Sequence, residues 1–151
     1  MSSISIIITA SGVFTEVGRL THFAGIKQEK KEGDFERISA TESDKDMLLQ
    51  FWNSACETLT GKFKNNIEAV TLNDTQYSIT VKPSAAYDTN LTNSMKENMQ
   101  KYIILHMASR WFMLTNKDDA EGYGRDAEDQ LDEAMRKWYY KVKPKRTSPN
   151  A

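Results

Sequence analysis

The spacing of apolar residues in the first third of the chain predicts a strand, a short helix and an exposed arm. Residues 3–9 form a β-branched run, SISIIIT, which favours a strand. The next segment predicts a short helix from Val13 to Leu20, which the Ala24–Gly25 pair would close. Residues 27–46 are dense in charge and only weakly periodic, as is typical of an exposed connection. We therefore expect residues 1–42 to consist of an N-terminal strand and a charged arm.

A second helix is predicted to follow Ser43, which can cap its N-terminus, with Asp46 near the positive end of the helix dipole. Gly61 is predicted to end this helix. Its apolar residues recur at helical spacing and indicate one buried face: Leu48, Phe51, Trp52, Ala55 and Leu59. Cys56 lies beside that face, and no His or Asn arrangement indicates an activated thiol, so we expect a small core residue.

Residues 66–82 carry the clearest hairpin pattern in the chain. Asn73 and Asp74 are predicted to form the turn, and Pro83 ends the second strand because it lacks a backbone donor. One face of the second strand is predicted to be buried, since three large residues alternate with polar ones: Tyr77, Ile79 and Val81. The hairpin therefore presents one face to a core and one to water.

A long helix is predicted from Leu91 to about Asn116, and its second half, YIILHMASRWFML at residues 102–114, is apolar on nearly every side. A helix on the outside of a small domain should show one apolar stripe and one polar face. Two other helices and a hairpin can cover much of this surface. We predict that a neighbouring subunit covers the rest, so that Trp111, Phe112 and Leu114 lie at a subunit interface.

The glycines within residues 116–124, NKDDAEGYG, predict a turn before a last helix over residues 125–142. That helix has one apolar face, acidic residues in its first turn and basic residues near its end, as the helix dipole favours. Residues 144–151 contain two prolines and are predicted to be a flexible tail. The predicted fold is α+β and mainly helical. About three helices form a bundle with the hairpin and the N-terminal strand, and residues 43–143 form the helical domain.

Composition excludes several classes of protein. A chain of 151 residues indicates one domain, and a net charge of -1 favours neither nucleic acid nor membrane as a partner. The single cysteine excludes an internal disulfide framework and a Cys-based zinc cage. Because the N-terminal apolar run is too short for a membrane span and no basic segment precedes it, we expect no membrane association and folding in a reducing cytoplasm.

Few residues converge in a pattern that catalysis would require. His106, Ser109 and Arg110 share the one polar arc of the long helix, and a buried cluster of this kind is either a site or a set of satisfied polar groups. The acids at residues 118–129 lack the spacing of a calcium loop, and GYG lacks the glycine pattern of a phosphate loop. We expect no catalytic residue, no cofactor and no metal.

The concentrated basic feature is the segment RKWYYKVKPKR at residues 136–146, in which basic residues are interleaved with aromatic ones. Such a segment can bind a nucleic-acid backbone, bind an acidic protein partner or form a solvated helix end. The residues predicted to bind the partner are the last four basic ones: Lys141, Lys143, Lys145 and Arg146.

The order of these elements resembles a family of viral structural proteins. An aromatic helix containing FWNSAC is followed by a small hairpin, a long apolar helix and a last helix that closes in a basic–aromatic segment ending KPKR. This arrangement over residues 40–146 is similar to the head–tail connector (adaptor or neck) proteins of tailed bacteriophages and prophages, in particular those of gut Bacteroidetes. The charged N-terminal third departs from the simplest connector pattern.

The resemblance implies a homo-oligomeric ring, commonly of twelve copies, that docks beneath the portal protein and contacts other neck or tail proteins. Such a ring extends the channel through which DNA passes, so the protein would be a non-enzymatic part of the virion, made in the host bacterial cytoplasm. Lys141 to Arg146 would then face the portal, and the hairpin tip at Asn73 and Asp74 would contact neighbouring subunits or the channel. The alternatives are a small nucleic-acid-binding or regulatory protein that uses the basic tail, and a tail-completion protein.

Overall fold

The computed structural model describes residues 2–28 and 44–139, with the side chains of residues 24–28 left out of the description. Within these residues the chain forms four α-helices, a short 3-10 turn and a three-stranded antiparallel sheet, so the predicted α+β, mainly helical class is confirmed. The elements in chain order are β1 Ile4–Thr9, α1 Ala10–Gln28, α2 Lys45–Lys62, β2 Ile67–Leu72, β3 Gln76–Val81, the turn Thr89–Leu91, α3 Thr92–Thr115 and α4 Lys117–Tyr139.

The sheet is built around β3, which pairs antiparallel with β1 on one side and with β2 on the other. The predicted N-terminal strand and hairpin are therefore confirmed. In the register, Ile6 lies opposite Ile79 and Ile8 opposite Tyr77, and all four side chains are buried. Because side chains alternate along a strand, this face packs on the helices and the other face carries mostly Ser and Thr.

Helix α1 follows β1 directly and is longer than the predicted segment from Val13 to Leu20. Val13, Val17 and Thr21 are buried at four-residue intervals, so β1 and α1 belong to the same core as the rest of the described chain. The prediction that the Ala24–Gly25 pair ends this helix is wrong. A glycine in a helix interior costs only about 1 kcal/mol, which is too little to stop a helix by itself.

Helix α2 buries the predicted face, apart from Phe51, which is half-buried. Gly61 lies in its last turn and not beyond its end, so the predicted stop was placed too early, while Ser43 lies outside the described residues. Cys56 is fully buried, and burial, with the charge of Glu57 adding to it, raises the pKa of its thiol. The prediction of a core cysteine is confirmed.

Helices α3 and α4 form an antiparallel hairpin joined by the single residue Asn116. The Asn116 amide donates to the Phe112 carbonyl over 2.7 Å, and its side-chain amide donates to Asp119 over 2.7 Å. Asp118 and Asp119 occupy the first turn of α4, where they complement the helix dipole. The predicted glycine turn is therefore wrong: the segment EGYG lies inside α4, which begins eight residues before the predicted start.

Polar side chains connect the two helices of this hairpin along its length. Asn98 on α3 donates to the Gln130 side chain on α4 over 2.7 Å, and the Lys137 ammonium donates to Asn98 and Ser94. Near the turn, the Ser109 hydroxyl donates to the Ala120 carbonyl over 2.8 Å. These contacts fix the register of α4 against α3, because each pairs one residue of α3 with one or two of α4.

Gly124 allows a close contact between the two helices. A Cβ atom placed there would lie 3.1 Å from the Ser109 hydroxyl oxygen, whereas one at Gly122, two residues earlier, would have no neighbour within 4 Å. Both glycines lie in the interior of α4, so they share the same helix-propensity cost and differ in the space around them.

We predict that Gly122→Ala raises the free energy of unfolding by about 0.5–1 kcal/mol, because alanine is the better helix former. Gly124→Ala should gain less than this or lose stability, since the new methyl group displaces Ser109. Ser109→Ala in the Gly124→Ala background should recover part of the loss. Chemical denaturation measures all three. Equal stabilisation by the two glycine substitutions would contradict the close contact.

Candidate interaction surface

The structure encloses two of the three residues that were predicted to lie at a subunit interface. Trp111 is 6% exposed and Phe112 is fully buried, with its ring 5.1 Å from that of Tyr123 on α4. The prediction that these two side chains need a second subunit to cover them is therefore wrong, because the longer α4 covers α3 from its first turn. The side chains that cover Phe112 come from the first turns of α4, which the sequence predicted to be a turn.

Leu114, the third of these residues, is 62% exposed, and its neighbour Met113 is 51% exposed. Both side chains lie at the end of α3 beside the turn at Asn116. A contact between Leu114 and another subunit stays a prediction. Large apolar side chains next to each other on a surface are typical of interaction sites when an apolar groove adjoins them.

Such a groove runs between α3 and the first half of α4 and is named here the α3–α4 groove. Its volume is about 750 Å³, and most of its lining surface is apolar. Three of its lining residues are small, namely Ser109, Ala120 and Gly124. The remaining lining residues are Met113, Lys117, Glu121, Arg125, Glu128 and Asp129. Sequence reasoning missed this groove because a groove between two helices requires α4 to begin at Lys117.

Charged residues of α4 line the α3–α4 groove, three of them acidic and two basic. From Lys117 to Glu133, α4 carries eight acidic and two basic residues. Glu121, Glu128 and Asp129 are exposed, and none of the three forms a salt bridge with another residue that the structure describes. The charged lining of the groove is therefore mixed, because Lys117 and Arg125 lie there together with these three acids.

The far end of α4 is fixed by an aromatic cluster. The Trp138 ring lies 5.1 Å from that of Phe63, which follows α2, and 5.2 Å from that of Tyr87, which precedes α3. The chain continues from Tyr139, which is 64% exposed. The four basic residues predicted to bind a partner, Lys141, Lys143, Lys145 and Arg146, lie outside the described residues, as does the predicted tail at 144–151.

The hairpin tip is anchored to the body of the protein. The Asn73 side-chain oxygen accepts from the backbone amides of Thr75 and Gln76, each over 2.9 Å, and this closes the turn. The Trp52 indole donates to the Asn73 carbonyl over 3.0 Å, and the Ala10 amide donates to the Thr75 carbonyl over 2.9 Å. Asn73 and Asp74 are exposed on this fixed turn, so they can present a rigid contact and their role stays a prediction.

Three polar residues of α3, His106, Ser109 and Arg110, do not form a pair of nucleophile and general base. Ser109 donates its hydroxyl to the Ala120 carbonyl, and Arg110 is exposed. His106 is half-buried with its ring 5.6 Å from that of Tyr102, and its Nε2 atom is buried without a hydrogen-bond partner. Burial, with the charge of Arg110 adding to it, lowers the pKa of His106 below its ordinary value of 6.5.

Among residues 2–28 and 44–139, no group of three or more His, Cys, Asp or Glu side chains has the geometry of a metal site. No helix in the described part of the chain is both long and apolar enough to span a bilayer.

Comparisons with known proteins give no match: no family model, no curated protein and no solved structure is significantly similar to this chain.

We predict that His106 makes the protein less stable in mild acid. In the unfolded chain its imidazole takes a proton near pH 6.5, whereas the folded state keeps it neutral, so stability falls as the pH drops through 6.5 towards the lower folded pKa. The slope contributed by one such group is at most about 1.4 kcal/mol per pH unit.

The measurement is the free energy of unfolding between about pH 7.5 and about pH 5, a range that spans the ordinary histidine pKa. His106→Gln should lose part of the acid-induced decrease. If the free energy of unfolding of the wild type and of His106→Gln depended on pH in the same way, His106 would bind its proton equally well in the folded and unfolded states.

Proposed function

We propose that this protein is a structural, non-enzymatic subunit of the neck of a tailed bacteriophage. It assembles into a ring, of twelve copies by the resemblance, that docks on the portal protein, extends the DNA channel and receives the next neck or tail protein. Its place would be the virion, after synthesis in the host bacterial cytoplasm. The resemblance in element order supplies this family, and the exposed end of the α3–α4 hairpin supports association.

The observation that carries the proposal is the exposure of Met113 and Leu114 beside the α3–α4 groove. Covering one exposed leucine contributes about 1–2 kcal/mol at 25 cal/mol per Å² of apolar surface. One such contact is weak, but a closed ring repeats it in every subunit, so the whole assembly gains many times that amount. A chain whose core is already complete can therefore still assemble through this end.

The runner-up function is nucleic-acid binding through the basic tail. In the described part of the chain, the long exposed face of α4 is acidic and would repel a phosphate backbone. Contact with DNA would then rest on Lys141 to Arg146 alone. A tail-completion role would use the same apolar end with a different partner, and no specific contact in the described residues favours it.

We predict that the wild-type protein forms closed rings in electron micrographs, either alone or with the portal protein encoded in the same genome. Leu114→Asp should reduce the ring fraction at least tenfold, since the charge would be desolvated in the contact. Met47→Asp is the matched control, because Met47 is also a half-exposed apolar residue on a helix. Mass photometry gives the ring fraction.

A second experiment tests the biological role. Disruption of the gene in its phage should leave DNA-filled heads without tails, and wild-type protein supplied in trans should restore infectious particles. Normal virions after disruption, or a protein that stays monomeric with and without the portal, would contradict the proposal.

A further inference from the structure

The sheet ends in two edge strands, and they differ in the features that stop another strand from pairing. Within the described part of the chain, β1 and β2 each pair with β3 alone. A β-bulge between Ile67 and Ala69 interrupts the register of β2, and Glu68, which lies between them, is charged. Bulges and charged side chains at an edge discourage pairing with a second chain. Strand β1, Ile4–Thr9, has a continuous register with β3 and contains no charged residue and no proline, so its edge is unprotected.

One hydrogen bond fixes which backbone groups of β1 face away from β3. The Ala10 amide donates to the Thr75 carbonyl over 2.9 Å, at the end of the β1–β3 ladder. Because bonded and non-bonded pairs alternate along an antiparallel ladder, every second residue of β1 bonds to β3. The side chains of these residues lie on the buried face of the sheet: Ile4, Ile6 and Ile8. The amides and carbonyls of Ser5 and Ile7 therefore point to the free side of β1, where no described strand lies.

The composition of β1 selects another copy of the same strand as its partner. Strand pairing favours β-branched residues, which make up five of the seven residues at 3–9, SISIIIT. The longer segments outside the described residues lack this composition. Eight of the fifteen residues at 29–43 are charged, and residues 140–151 contain two prolines, which cannot donate to a ladder. A second copy of β1 has the uncharged, β-branched sequence that this edge favours.

Two copies of β1 are self-complementary when they pair antiparallel around a two-fold axis through Ile6. In this register, Ile4 lies opposite Ile8 of the second copy, which continues the buried row of isoleucines across the contact. Ser5 lies opposite Ile7 of the second copy, and their free amides and carbonyls bond to each other. The pairing also covers part of Ile7, whose side chain is 45% exposed in the single chain. The paired strands contain no charged residue, so the contact places no like charges together.

From these observations we infer that two copies of the protein associate edge to edge through β1. The two three-stranded sheets then form one continuous sheet of six strands, a contact in which backbone hydrogen bonds provide the association. The contact is isologous, so it closes with two copies. It goes beyond the proposed ring and does not depend on it, because the ring contact uses Met113 and Leu114 at the end of the α3–α4 hairpin.

Charges on the exposed face of β1 test the contact. The variants S5K/I7K and S5E/I7E each place like charges on facing strands, because Ser5 of one copy lies opposite Ile7 of the other. Each variant should weaken dimerisation at least tenfold in sedimentation velocity. The matched control is A69K/T71K on the edge strand β2. Ala69 lies in the same cross-strand row as Ser5, and Thr71 in the same row as Ile7, so the control adds the same charges to the same face and should dimerise like the wild type.

An equimolar mixture of the two β1 variants distinguishes pairing between copies from a loss of folding. Each lysine then faces a glutamate of the other copy, so dimers should return towards the wild-type level. Added salt should weaken the mixed dimer without weakening the wild-type dimer, since the wild-type contact contains no charges to screen. Circular dichroism of each variant verifies its folding.

Amide hydrogen exchange reports the paired edge residue by residue. In the dilute single chain, β3 should protect the amides of Ile6 and Ile8, whereas those of Ser5 and Ile7 should exchange fast. On dimerisation, the amides of Ser5 and Ile7 should become protected as well. This alternating pattern is specific to a contact through the edge of β1.

Several results would overturn the inference. A wild-type protein that forms no dimer, or β1 variants that dimerise like the wild type, would exclude the contact, as would a mixture of folded variants that stays monomeric. Slow exchange of the Ser5 and Ile7 amides in the dilute chain would show that this edge is covered within one subunit. Leu114→Asp should remove rings and keep β1 dimers, so rings without these dimers would contradict this inference alone.

Discussion

The burial of α3 is the constraint on which the rest of the structure depends. A helix that is apolar on most sides must be covered on most sides, and here α1, α2 and α4 divide that task. The one-residue turn at Asn116 brings α4 back along α3 immediately, so that cover begins at Trp111 and Phe112. Small residues at Ala120 and Gly124 let the two helices approach closely enough for Ser109 to donate across the contact.

This arrangement changes where assembly can occur. Because the core of the described chain is complete without a second copy, association does not have to finish it and can use surfaces that remain exposed. The small residues Ala120 and Gly124 that let the helices approach also line an open groove, with Met113 on one side and charged residues of α4 on the other. Packing inside the subunit and the candidate contact between subunits therefore arise from the same small residues.

Local patterns in the sequence predicted the strands, the buried face of the hairpin and the buried face of α2. Each of these features depends on residues that are close in the chain. Alternation at Tyr77, Ile79 and Val81 is one example. The α3–α4 turn was missed because glycine is weak evidence for a break inside a helix, while Asn116 and Asp119 close the turn through specific hydrogen bonds. The groove could not be predicted, since it depends on the register of two helices.

The central claim is that the folded subunit buries α3 by itself, and amide hydrogen exchange tests it most directly. At a protein concentration low enough to keep the chain monomeric, the amides of residues 103–112 should exchange as slowly as global unfolding allows. Their protection should not change when the concentration is raised to the point of assembly. Fast exchange in the dilute monomer, with protection gained only on association, would contradict the account.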